Sequence, residues 1–162
     1  MFDRVLQNET RIGELKSIQI PRGVRARVYK STDQTLTTGV AAAITFNSEL
    51  YDTDAIHDTG SNTSRLTIPF AGTYRVTGNL RYASNATGFR QAQIQLNGAT
   101  TIASVVLTAC QTNVTDIQVT TDYVFVAGDY VELIAGQTSG GNLNVSSAAH
   151  LSPEFWIDKL IN

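Results

Sequence analysis

The alternation over Tyr74–Tyr82 constrains the fold more than any other feature of this sequence. Tyr74, Val76, Gly78, Leu80 and Tyr82 fall on one side of an extended chain, and Arg75, Thr77, Asn79 and Arg81 on the other. A strand sends successive side chains to opposite faces, so this pattern predicts a half-buried antiparallel strand. The same period runs through Val24, Ala26 and Val28, through Ala92, Ile94 and Leu96, and through Ile117, Val119, Thr121, Tyr123 and Phe125. Further strands are expected at Ala43–Phe46, Arg65–Ile68, Thr101–Thr108, Tyr130–Ala135 and Glu154–Ile161. Asn97-Gly98 predicts a two-residue hairpin, because both central positions need φ > 0. Ala127-Gly128-Asp129 predicts a second tight turn. Turns every ~8–12 residues between short strands predict an all-β sandwich or jelly roll.

Composition agrees. Of 162 residues, 21 are Thr and 10 are Asn, while only 16% are charged. A coiled coil or helical bundle wants Ala, Glu, Lys and Leu instead. The length fits one domain. The lone Cys110 cannot form an intrachain disulfide, and its apolar run Val105–Cys110 predicts a buried thiol. No apolar stretch reaches the ~18 residues of a membrane span, and the first residues have no apolar signal region. A soluble chain made without export is therefore expected.

Residues 1–23 read as an attachment arm, and residues 24–162 as the β domain. Val5, Ile12 and Leu15 recur at helical spacing, which suits either a short helix or an extended arm. Pro21-Arg22-Gly23 ends that pattern. Residues 1–30 hold seven cations, among them Arg4, Arg11, Arg22, Arg25 and Arg27, and three acids, a net of +4 against −6 for the rest. Such asymmetry points to a docking partner. Nucleic acid would want interleaved aromatic residues for stacking, and only Tyr29 is close by. An acidic protein surface is the better partner. Arg4, Val5, Arg11, Ile12, Leu15, Arg22, Arg25 and Arg27 are the candidate docking residues.

Nothing in the sequence reads as catalytic. His57 and His150 lack the spacing of a zinc site, and the glycines at 136–140 do not form a nucleophile elbow. Asp52, Asp54 and Asp58 are the candidate ligands for a calcium ion, which takes about six to eight oxygens, but they lack the EF-hand spacing. A merely solvated acidic loop is the alternative, and no cofactor is expected.

Several local patterns together resemble the C1q/TNF-like jelly-roll family. Phe46-Asn47 and Tyr51-Asp52 are similar to its early Phe-Asn and Tyr-Asp positions. Arg65–Val76 is similar to its F-T-x-P-x-x-G-x-Y-x-F segment. Val126–Leu133 resembles its L-x-x-G-D-x-V-x-L segment, and Phe155-Trp156 its closing aromatic strand. Order and spacing agree over roughly residues 36–161. The resemblance implies a jelly roll of about ten antiparallel strands that assembles as a homotrimer, with Tyr74, Tyr82, Tyr123, Phe125 and Trp156 in the core or at the trimer interface. Without a collagenous stalk or export signal, the chain is more similar to phage versions of the fold. The implied role is a non-enzymatic virion protein, assembled in the host cytoplasm. It would be a capsid decoration or head fibre docked on the major capsid protein or another virion protein, with outward loops free to meet a host surface glycan. A tail-fibre tip and a bacterial C1q-like carbohydrate-binding module are the alternatives. Neither nucleic-acid binding nor membrane insertion is expected.

Overall fold

The computed structural model describes residues 23–149 and 151–160. The arm residues Arg4, Val5, Arg11, Ile12, Leu15 and Arg22 lie outside the described residues, and so does His150. Twelve strands and no helix make up the described chain: β1 (Arg25–Tyr29), β2 (Gln34–Leu36), β3 (Ala42–Ala43), β4 (Ser48–Asp52), β5 (Arg65–Thr67), β6 (Gly72–Tyr82), β7 (Phe89–Leu96), β8 (Thr100–Thr108), β9 (Thr115–Phe125), β10 (Tyr130–Gln137), β11 (Leu143–Val145) and β12 (Glu154–Lys159). The all-β expectation holds. Three of the strands, β2, β4 and β11, were not expected from the sequence. The stretch expected as one strand at Ala43–Phe46 pairs only at Ala42–Ala43, and Ile44 and Phe46 follow as buried loop residues.

The strands form two antiparallel sheets. The first has seven strands around β6. β9 runs along one edge of β6 for its full length, from Gly72↔Phe125 to Tyr82↔Thr115. The other edge is shared between β12, followed by β1 and β4, and β11, followed by β2. The second sheet has five strands, with β10 between β7 and the short β3 and β5, and β8 outside β7.

The alternation over Tyr74–Tyr82 is realised as read. Tyr74, Val76, Leu80 and Tyr82 are buried, and they meet Leu133, Val131, Ile94 and Ala92 of the other sheet in one core. Burying side chains of this size stabilises a fold by about 1.5–3 kcal/mol each. Phe46 stacks on Phe155 with centroids 5.9 Å apart, and Tyr74 meets Phe125 edge-on at 5.9 Å. Gly78 allows the two sheets to approach closely: a Cβ there would stand 2.5 Å from Cδ1 of Leu133.

The hairpin signals also hold. Asn97 and Gly98 have φ of 52° and 67°, and Gly128 has φ of 90°. Asn97 ties these two turns together. Its Nδ2 donates to Asp129 (2.9 Å), and its Oδ1 accepts from the Tyr130 N–H (2.9 Å).

The ends of the sandwich differ. Gly23 and Val24 lie at one end, where the Lys159 N–H donates to the Val24 carbonyl and the Leu160 N–H to Thr73. Tyr29, paired with Glu154, lies about 17 Å further along from Val24, at the opposite end, since a strand rises ~3.3 Å per residue.

Candidate interaction face

The seven-stranded sheet turns one face to the core and the other outward. The outward residues stand in rows set by strand register. One row reads Asp122, Arg75, Asp158, Arg25 across β9, β6, β12 and β1. The next reads Thr120, Thr77, Trp156, Arg27, Tyr51, and the third Gln118, Asn79, Glu154, Tyr29. Asp116 and Arg81 close the face.

Charges on this face are met by their neighbours. Arg75 grips Asp122 with two hydrogen bonds of 2.8 and 2.9 Å, and Arg81 grips Asp116 with two of 2.7 and 2.8 Å. Both are fork-on-fork pairs, the geometry in which guanidinium and carboxylate bind best. The hydrogen bonds from these arginines hold both carboxyls below the usual range. Arg27 donates from Nε (3.0 Å) and from Nη2 to the same oxygen of Glu154, whose side chain is only 2% exposed. Asp158 differs. Burial raises its carboxyl pKa despite the opposing pull of Arg25, Arg75 and Arg27. Burial likewise raises the Tyr51 phenol, with Asp158 adding to the rise.

Between these pairs the face is aromatic and amidic. The Arg27 guanidinium lies 4.9 Å from the Trp156 ring centroid, and Arg25 lies 4.9 Å from that of Tyr51. Thr77 bonds Thr120 across the ladder at 2.8 Å, and Gln118 donates to Asn79 at 3.0 Å. Thr77 points outward yet is only 5% exposed. Beside Trp156 lies a shallow depression of about 560 Å³, lined by Arg75, Thr77, Gln118, Thr120 and Asp122. On β1, β6, β9 and β12, four arginines match four carboxylates, so the face has no net charge.

The residues picked from the sequence separate here. Tyr74, Tyr82 and Phe125 sit in the protomer core. Tyr123 is half-buried against Phe125, with centroids 4.9 Å apart. Of the five aromatic candidates only Trp156 stands on the outward face. Arg25 and Arg27 share that face, but there they meet Tyr51, Trp156 and Glu154 of their own chain. Residues 1–22 alone carry four cations and three acids. Much of the +4 read over residues 1–30 therefore belongs to β1 and the loop after it.

One expectation is corrected. Cys110 is exposed, because the chain leaves β8 at Thr108 and the apolar run ends outside the sandwich. Asp52, Asp54 and Asp58 do not converge. Asp52 accepts from the N–H groups of Asp54 and His57, Asp54 from the Thr53 hydroxyl, and Asp58 from Gly60 and Ser61. Among the described residues, no group of three metal-ligating side chains stands together. No described helix is long and apolar enough to cross a membrane. Asp116, Asp122, Glu154 and Asp158 went unread as parts of a face, although the outward parity of Arg75 and Arg81 marks where partners had to stand.

This architecture is a TNF-like jelly roll. Murine APRIL superposes on it with a TM-score of 0.65 over 86% of this chain and 100% of its own, at 8% identity. Eiger TNF from S. frugiperda does so with a TM-score of 0.61 over 86% of this chain and 94% of its own, at 12% identity. These likenesses are of fold. In sequence, the chain is similar to the uncharacterized protein L688 of Acanthamoeba polyphaga mimivirus, with 31% identity over 88 residues. That match spans 51% of this chain and 37% of the mimivirus protein. No family model matches the chain.

Proposed function

We propose that this chain is a non-enzymatic structural protein of a virion: a homotrimeric capsid decoration or head fibre of a bacterial virus. Three copies close through the outward face of the seven-stranded sheet. The single observation that carries this reading is the character of that face. Six of its eight charges are paired within the chain, and a half-buried tryptophan and threonine hydroxyls occupy its middle. Interface cores are depleted in most charged residues and enriched in aromatic residues and arginine. Trimeric closure is what the resemblance to the C1q/TNF-like family implies.

The likeness to a mimivirus protein supports a viral source. Residues 1–22 join the sandwich at the Val24 and Lys159 end, so a trimer presents three such segments together. In this reading they dock on the major capsid protein or another virion protein, and the loops around Tyr29 and Glu154 point away from the particle. Imaging intact particles with and without the gene tests this. Trimeric density on the head surface that disappears with the gene supports it, whereas density on the tail tip or none on the particle rejects it.

A further inference from the structure

At the end of the sandwich away from residue 23 lies a small pocket of about 180 Å³, lined by Tyr29, Ser31, Ser147, Ala149, Ser152 and Glu154, with Lys30 and Ala148 completing it. Glu154 is its buried element, with a side chain only 2% exposed. Arg27 takes one carboxylate oxygen, Oε2, with both of its donors. The other, Oε1, accepts no hydrogen bond from any described residue. A carboxylate oxygen open to a pocket can take a donor from a bound molecule.

The hydroxyls around it are already sorted. Ser152 Oγ accepts from the Arg81 N–H (2.7 Å), which leaves its own hydrogen to give. Ser147 gives its hydrogen to the Lys30 carbonyl (3.2 Å), which leaves its oxygen to accept. The pocket thus offers a strong acceptor, a donor and a second acceptor beside the half-buried Tyr29 ring. Adjacent hydroxyls on a ring with an apolar face match that set.

Charge narrows the ligand further. Arg27 already balances Glu154, and Lys30 stands beside the pocket with its ammonium on Thr45 (2.7 Å). A cationic ligand would meet two cations, and an anionic one would meet the carboxylate. We propose that this pocket binds one neutral sugar residue through Glu154, Ser147 and Ser152. The site rests on the reading above only in that the outward end of a virion protein is where such a sugar would be met.

The test is a titration of the isotope-labelled full chain, followed by amide NMR, with methyl glycosides of glucose, galactose and mannose. Glucosamine and sialic acid serve as the charged comparisons. Saturable shifts at Ser31, Ser147 and Ser152 with a neutral glycoside are expected, weakened at least about tenfold in Ala149→Trp, which fills the exposed rim. The map on the unsubstituted chain stands without that variant. No saturable shift, tighter binding of either charged sugar, or equal binding by Ala149→Trp overturns the proposal. A trimer on the particle that ignores sugars sinks this site alone, and a monomer that binds them sinks the trimer alone.

Discussion

Arg27 reaches across from β1 to put two donors on a single oxygen of Glu154 in β12. The same guanidinium covers the Trp156 ring. One side chain thereby seals a buried carboxylate and flattens the middle of the outward face. Removing Arg27 alone leaves that carboxylate buried without its partner. Breaking fully buried pairs costs about 3–5 kcal/mol, and the 32% exposure of Arg27 lowers the expectation to about 2 kcal/mol. Urea unfolding of Arg27→Met should show this loss. The double variant Arg27→Met with Glu154→Met should recover most of it.

The outer pairs give the fold a particular acid response. Asp116 and Asp122 hold their carboxyls below the ordinary 3.8 through hydrogen bonds from Arg81 and Arg75. For groups with a depressed folded pKa, the stabilisation is present above that ordinary value and is lost as pH falls through the folded pKa. Stability measured by denaturant should therefore drop below about pH 4, and the drop should shrink in Arg75→Gln with Arg81→Gln.

Asp158 carries the opposite sign. Burial raises its folded pKa, so its charge opposes folding at neutral pH and ceases to do so as acid protonates it. Asp158→Asn should be no less stable than the parent chain at pH 7, in contrast to Asp116→Asn, which should be less stable. Thermal unfolding of the two side by side decides it.

Gly78 is fixed by sheet spacing rather than by backbone conformation. An added methyl would press on Cδ1, Cδ2 and Cγ of Leu133, at 2.5, 2.8 and 3.2 Å. Gly78→Ala should cost about 1–3 kcal/mol, as overpacking does, and adding Leu133→Ala should relieve the clash while opening a cavity of its own. A double-mutant cycle of unfolding free energies that shows no coupling between the two positions would refute this.

The exposed Cys110 should react in the native protein. Colorimetric thiol titration without denaturant should give one rapid equivalent per chain, whereas a buried thiol would react only after unfolding.

The parts of this fold that were legible in the sequence are those where side-chain parity and burial coincide. Tyr74–Tyr82 is paired along its whole length by the eleven-residue β9 and has one buried face, so its period is clean. β2, β4 and β11 are three to five residues long, and β4 (Ser-Glu-Leu-Tyr-Asp) lies at a sheet edge with its Leu50 exposed. Strands that short bury too little to imprint a period. Arg90 shows the limit of parity itself. It occupies an inward position, two residues before Ala92, and is fully buried, with the carbonyls of Asn85, Thr87 and Phe89 taking hydrogen bonds from Nη1 and Nη2. Two of those carbonyls, of Asn85 and Thr87, belong to the loop before β7, whose path no local pattern announces. The interaction face was half legible. The arginines were visible on their strands, but the carboxylates that meet them come from β9 and β12, about 35 to 130 residues away in the chain.

The central claim is self-association through the neutral face around Trp156. Light scattering on the purified full chain tests it most directly. A single species of about three times 17.5 kDa, split to the one-chain mass by Thr77→Arg, is the predicted result. A stable species at 17.5 kDa for the unsubstituted chain would contradict it.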